Sequence, residues 1–315
     1  MFYRLNTIKT LLSLLSIAAI YLLYGSTWNL SVYFPDHGSS RSCDCHTCLG
    51  DGDPWFKETF NAVPRPFLSK THRTSLEEYN WWKTLQYDHR NFTQFNATVE
   101  KLFKIFPPVP DVVESNPDRC VSCAVVGNSG NLKRSHYGPL IDAHDLVIRM
   151  NHGRTKGFEK DVGTRTTHHI LYPESAINLP DNTSLVLFPF KTTDLLWLIN
   201  KFKPSEGAAG NTKRIANKDL VMILNPAFMK HVHQNWLEKK GRYPSTGFMT
   251  VILSLFMCDQ ISVFGFGADN EGNWNHYYEI LKNHNLRTGP HPGAQEYGVM
   301  QKLNTKKKIR LYTGF

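Results

Sequence analysis

Two short polar constellations in this chain are suited to holding an anion or a nucleotide. The first is the turn Gly127-Asn128-Ser129-Gly130-Asn131, which closes an apolar run beginning at Cys123. Glycines allow a ligand to approach the backbone, and Asn brings both donors and acceptors. Ligands of open α/β sheets bind at the carboxyl ends of strands, where this turn falls. It is neither Gly-x-Gly-x-x-Gly nor a Walker loop, so an ordinary strand-to-helix turn remains an alternative. The second is Pro244-Ser245-Thr246-Gly247, followed by FMTVILSLFM. With Ser245 or Thr246 as N-cap, the first free amides and the dipole of a buried helix make an anion site. A cap that only satisfies its own helix is the competing reading.

Other motifs are weaker. Asp51-Gly52-Asp53 matches the Asp-x-Asp of metal-dependent glycosyltransferases but precedes the α/β core, badly placed for a strand-end metal. His168 and His169 are adjacent in an expected strand, so they point to opposite faces and do not readily share a metal. Cys43, Cys45, His46 and Cys48 imitate a zinc cluster, as does Cys120-x-x-Cys123. Lys306-Lys307-Lys308 reads as a solvated edge.

These residues need a scaffold, and the hydrophobic pattern supplies one. From Cys120 onward, strands are expected at 121–126, 145–150, 167–172, 184–189, 219–224, 260–266 and 308–313. Helices are expected at 192–202, 226–239, 246–257, 276–283 and 294–304. This alternation predicts an α/β fold around a mainly parallel sheet. A helical region from about Pro54 to Phe106 precedes it, ended by prolines 107, 108 and 110.

With 315 residues, 41% hydrophobic and 20% charged, the chain suits a large globular domain rather than disorder. The formal charge of +9 gives a basic surface and a field attractive to anionic ligands. No nucleic-acid-binding pattern accompanies it. Residues 10–28 are uncharged and apolar, near the length of a membrane span, with Arg4 and Lys9 before them. A type II signal-anchor is expected, with a cleaved signal peptide as the alternative. The expected organisation is a cytoplasmic tail (1–9), the anchor (10–28), a stem (29–50) and a lumenal catalytic domain (51–315). Six cysteines and sequons at Asn29, Asn91, Asn96 and Asn182 fit a lumenal location, with disulfides rather than zinc.

The stretch Cys123 to Asn151, CAVVGNSGNLKRSHYGPLIDAHDLVIRMN, resembles the large sialylmotif of the animal sialyltransferases. Arg242 to Asp269 is similar to that family's small motif. His276-Tyr277-Tyr278-Glu279 looks like the third motif, and HPGAQE (His291 to Glu296) fits the very small one. The four blocks keep the family's order across more than half the chain. The CDCHTC cluster and WWKTLQ (Trp81 to Gln86) narrow the resemblance to β-galactoside α2,3-sialyltransferases that act on galactose-β1,3-N-acetylgalactosamine.

The resemblance implies a variant GT-A, Rossmann-like domain and CMP-sialic acid as donor substrate, without a metal or other cofactor. It implies disulfides Cys43–Cys48, Cys45–Cys120 and Cys123–Cys258. It assigns the base to His291 and phosphate stabilisation to His276. The donor would meet Asn128, Ser129, Asn151, Tyr172, Ser245, Thr246, Gly247 and Gly267, the last within Gly265-Phe266-Gly267. The acceptor would meet Gln86 and Tyr243. Glu296 would orient either His291 or the helix start. The implied setting is the Golgi membrane, with O-glycans or glycolipids as acceptors; a released soluble form and a homodimer stay open. N-glycans are expected on Asn91, Asn96 and Asn182. The chain departs from the family in three places. Segment 203–218 lacks an expected aromatic, 280–290 is slightly short, and Pro292-Gly293 stands where acidic residues are usual. Two rivals remain: a metal-dependent transferase of another nucleotide sugar, and a catalytically silent lumenal glycan-binding protein.

Overall fold

In the strand SCAVV (Ser122–Val126), successive side chains enter different cores. Cys123 and Val125 pack in the larger cluster, Ala124 and Val126 in the smaller one on the other side. A strand buried on both faces belongs inside a parallel sheet covered by helices. The computed structural model describes residues 43–46, 48–49, 52–61, 63–110, 118–203, 215–280 and 290–314.

The strands are β1 (Ser122–Val126), β2 (Leu146–Met150), β3 (His168–Leu171), β4 (Ser184–Leu187), β5 (Val221–Ile223), β6 (Gln260–Phe264) and β7 (Arg310–Tyr312). Their order is β5-β4-β3-β2-β1-β6-β7, and every pairing is parallel. The chain walks outward from β1 to β5, then returns to lay β6 on the other side of β1. Strand order therefore reverses between β1 and β6, opening a crevice beyond their carboxyl ends.

The helices are α1 (Pro54–Asn61), α2 (Leu76–Trp82), α3 (Phe92–Leu102), α4 (Gly138–Asp142), α5 (Glu159–Val162), α6 (Thr192–Lys201), α7 (Pro226–His231), α8 (Thr246–Met257) and α9 (Gly293–Thr305). The long helical region expected before the core is three separate helices, because Ser75 and Asn91 each begin a new one with a capping box. The helix expected over 226–239 is α7 followed by a π-turn, Val232–Trp236. Helix α8 has the expected bounds and is buried on nearly every side, as its uniform apolarity requires.

All three expected disulfides are formed. Cys123–Cys258 fastens β1 to the end of α8, and Cys45–Cys120 ties Cys45 to the approach to β1. The expected membrane span, 10–28, lies outside the described residues. Among the described residues no helix is long and apolar enough to cross a membrane.

Candidate active site

The crevice at the strand reversal holds a cavity of about 470 Å³. Its strand-end side is sewn together by backbone. Gly127 N–H donates to Phe264 O at 2.7 Å, and Ser129 N–H to Gly265 O at 3.0 Å. The Ser129 hydroxyl donates to Gly267 O and Asn131 Nδ2 to Phe266 O, each at 2.7 Å. A Cβ at Gly127 would lie 2.3 Å from Gly265 O, and one at Gly267 (φ +87°) would lie 2.7 Å from the Tyr297 ring. Only glycine lets the two turns close up this way.

Asn128 donates through Nδ2 to Met150 O at 3.1 Å. Asn151, with φ at 55°, is gripped from both sides: its N–H donates to Ile170 O, and its carbonyl accepts from His169 Nε2 at 2.7 Å. Burial holds His169 down to about 4, so the ring is neutral. The side-chain oxygens of Asn128, Asn151 and Asn275, all in residues lining the cavity, are buried without a hydrogen-bond partner among the described residues. Such groups usually find partners, and a polar ligand in the cavity would supply them.

Helix α8 starts at the same cavity. Ser245 is its N-cap and accepts from Phe248 N–H at 3.1 Å. Ser245 also donates to Glu296, from its N–H at 2.7 Å and its hydroxyl at 2.6 Å. Burial raises the Glu296 carboxyl above its ordinary range, against the pull of the Ser245 hydrogen bonds. Of the two roles expected for Glu296, its hydrogen bonds serve the helix start.

The two histidines enter from different elements, and their ring partners differ in kind. His291 Nδ1 lies 3.1 Å from Tyr243 O. A carbonyl only accepts, so Nδ1 carries the hydrogen and Nε2 is the basic nitrogen of the neutral ring. His276 Nδ1 instead meets the Glu279 carboxylate at 2.8 Å, and its N–H meets the other oxygen at 3.1 Å. That carboxylate offsets positive charge on His276 whenever the ring is protonated. Burial pushes Glu279 up, but the hydrogen bonds from His276 outweigh it and hold the carboxyl below its usual range.

The helix expected over 276–283 is absent as far as Ile280; residues 281–289 lie outside the described residues. His276 bridges to Ser129 and Tyr277 N–H donates to Asn128 O. The Tyr277 ring is buried in the smaller core cluster, and its backbone follows the β1 turn rather than a helix.

Eight expected residues thus line one cavity: Asn128, Ser129, Asn151, Ser245, Gly247, Gly267, His276 and His291. Thr246 opens α8 but is buried and is not among the lining residues. Tyr172 and Tyr243 are not among the lining residues; they belong to a row of rings that reaches the cavity at His291. Tyr172 meets Phe190 at 5.9 Å, Phe190 meets Tyr243 at 5.4 Å, and Tyr243 meets His291 at 5.0 Å. Gln86 is bonded to Lys191, the residue after Phe190 of that row. Beside it the exposed Tyr87 ring lies under the Arg242 guanidinium.

The glycosyltransferase family 29 (sialyltransferase) model matches residues 67–308. Human CMP-N-acetylneuraminate-beta-galactosamide-alpha-2,3-sialyltransferase 1 is 39% identical, covering 99% of this chain and 98% of its own length. The chain belongs to glycosyltransferase family 29, the sialyltransferases. The rat sialyltransferase numbered 2 in the same naming series is 41% identical, over 88% of this chain and 81% of its own. A crystal structure of a mammalian sialyltransferase matches with a TM-score of 0.77 at 42% identity, covering 87% of this chain and 99% of that one. Another, in complex with Gal-beta-1-3GalNAc-ortho-nitrophenol, matches with a TM-score of 0.75 at 40% identity, covering 87% and 100%.

Several residues that line this cavity or close against it escaped sequence reasoning. Trp274 and Asn275 line the cavity just ahead of His276, and the amide beside a motif histidine was the available signal. Tyr297 follows Glu296 on α9 and closes against Gly267; nothing local marked it. Of the Asp-x-Asp motif, Asp51 lies outside the described residues, while Asp53 caps α1 and pairs with Lys306. Lys306 directly follows the end of α9 opposite to His291, about 20 Å along the helix. His168 and His169 do part company: His168 Nδ1 meets Thr167 Oγ1, whereas His169 supports Asn151. Of the sequons, Asn91 and Asn182 are exposed and Asn96 is half-buried in α3; Asn29 lies outside the described residues.

Proposed function

We propose that this sialyltransferase moves sialic acid from CMP-sialic acid to the 3-hydroxyl of a terminal galactose. Its acceptors are galactose-β1,3-N-acetylgalactosamine ends of O-glycans, and glycolipids with the same end. The observation that carries this reading is the meeting of a buried amide-lined cavity, a helix N-terminus and two differently partnered histidines at one strand reversal. The relatives' names and the galactose-bearing compound bound by one neighbour agree with it.

The donor's nucleotide lies against Asn128, Ser129, Asn151, Gly267 and the opening turn of α8, with Tyr172 towards the sugar. Helix amides and dipole offset phosphate charge there. His291 Nε2 takes the proton from the galactose 3-hydroxyl as the oxygen attacks the anomeric carbon. The bond to cytidine monophosphate breaks, and His276 stabilises the charge growing on the departing phosphate. A single displacement inverts the anomeric configuration. The chain's own groups answer the phosphate charge, so the reading requires no divalent ion.

We also infer a type II protein of the Golgi membrane anchored through residues 10–28, with the catalytic domain in the lumen. The three disulfides favour such an oxidising compartment. The deciding experiment incubates the purified catalytic domain with CMP-sialic acid and a small acceptor panel, with and without excess EDTA, and determines the product linkage. An α2,3 linkage to galactose, formed equally in EDTA, is expected. Another linkage, loss of transfer in EDTA, or binding without turnover overturns the reading.

A further inference from the structure

Lys191 stands just before α6 and does not line the cavity, yet its ammonium is fully committed. It lies 2.7 Å from Gln86 Oε1, 3.1 Å from Glu174 Oε1 and 3.3 Å from Asp194 Oδ1. An ammonium has three hydrogens, and here there are three acceptors. Burial works against its charge, but Asp194 and Glu174 together hold Lys191 above its ordinary value. The neighbouring structure brings Gln86 to it. Trp82 Nε1 donates to Pro189 O at 2.8 Å, pinning the end of α2 beside the end of β4. Asp88, with its side chain buried, accepts the Thr192 N–H at the start of α6. Gln86 is held between these two anchors, opposite Lys191.

The pairing fixes which way round the Gln86 amide sits. An ammonium cannot accept a hydrogen bond, so the oxygen must face Lys191 and the NH2 must face away. Gln86 Nε2 has no partner among the described residues. We propose that Lys191 is a positioning residue for acceptor selection. By holding the Gln86 oxygen, it makes the acceptor site present two N–H donors, which select a glycan oxygen able to accept. This rests on the acceptor reading of Gln86 given above. It goes further in stating the polarity of that contact and the residue that imposes it.

The test is a double-mutant cycle on the catalytic domain, read as acceptor KM, donor KM, kcat and thermal midpoint. Gln86→Ala should raise acceptor KM about tenfold, the loss expected for one well-placed hydrogen bond, with donor KM unchanged. Lys191→Met should do nearly the same. In the Gln86→Ala background, Lys191→Met should add less than about twofold. Lys191→Arg, which keeps a cationic donor, should restore most of the affinity. Gln86→Glu keeps the shape and the pairing with Lys191 but offers only acceptor oxygens, so it should fall as far as Gln86→Ala.

If Lys191→Met costs the same in both backgrounds, or raises donor KM equally, Lys191 does not act through Gln86 and the proposal fails. If Gln86→Glu keeps wild-type acceptor KM, the stated polarity is wrong. If Gln86→Ala leaves acceptor KM unchanged while galactose is still sialylated, the acceptor placement of Gln86 falls together with this proposal, and the transfer reaction stands. Should Lys191→Met not fold, the Lys191→Arg and Gln86→Glu variants decide.

Discussion

On the strand-end side of the cavity, Gly127, Ser129 and Asn131 are tied to the β6 turn by backbone carbonyls, and buried amides face inward. Around Gln86 and Lys191, by contrast, the contacts run between long side chains from segments 105 residues apart, partly open to water. The first arrangement cannot shift without moving the sheet. The second depends on charges holding rotamers in place. A fixed wall suits a ligand that is the same in every turnover, as a nucleotide is. A wall of side chains can be retuned by substitution without disturbing the fold, which suits the partner that varies.

The largest effect is expected where the two sides meet. His291 lines the cavity and also closes the row of rings that contains Phe190, the residue before Lys191. His291→Ala should lower kcat by roughly a thousandfold, within the range of general-base catalysis, while donor binding measured by calorimetry persists. Substantial turnover by this variant would remove the base assignment and leave the two sides without a shared centre.

The next effect separates the sides by pH. His169 supports Asn151 from beneath and is held neutral, with its value pushed down to about 4 by burial. Free histidine titrates near 6.5. Between those values the unfolded chain takes up a proton that the folded chain refuses. Stability is therefore fully present above about pH 6.5 and falls as the solution is acidified towards 4, by roughly 3 kcal/mol. Chemical denaturation across this window should show the slope, and His169→Gln should flatten it. An unchanged slope in the variant would mean the strand-end side is not anchored through this ring.

Gly127→Ala comes third. The new methyl would sit 2.3 Å from Gly265 O and 2.9 Å from the Phe266 ring, so the two turns must part. Overpacking of this kind costs about 1–3 kcal/mol. Because fold and pocket share the same backbone here, the thermal midpoint and donor affinity should fall together. If donor affinity dropped with no loss of stability, the fixed wall would be less rigid than the hydrogen bonds indicate.

The same contrast explains what was legible in the sequence. The strand-end side comes from contiguous stretches, so the Gly127–Asn131 turn and an N-cap at Ser245 or Thr246 could be read from the residues, each beside a purely structural alternative, and α8 kept its expected bounds. The resemblance supplied Asn151, Gly267 and the two histidines, which spacing could not. The Gln86 side was mostly hidden, since no local pattern ties Gln86 to Lys191 or Asp88 to the start of α6; only the packed fold does. The helix expected over 276–283 is absent as far as Ile280 for a related reason. Tyr277 is drawn into the small core and its amide is taken by the β1 turn.

The smallest expected effect asks whether the Lys191 cluster acts as one network or as a hierarchy. Glu174 is 60% exposed, whereas the Asp194 side chain is only 2% exposed and lies closer to the start of α6. Exposed ion pairs contribute at most about 1 kcal/mol and are screened by salt. Asp194 also accepts the Phe190 and Lys191 backbone amides, so it is fixed independently of Lys191 and can hold the ammonium by itself. Glu174→Gln should therefore leave acceptor KM within about twofold, and raising the salt concentration should erase even that difference. If instead it matched the loss in Lys191→Met, the three acceptors would be acting jointly, and the orientation of Gln86 would depend on a solvent-exposed carboxylate.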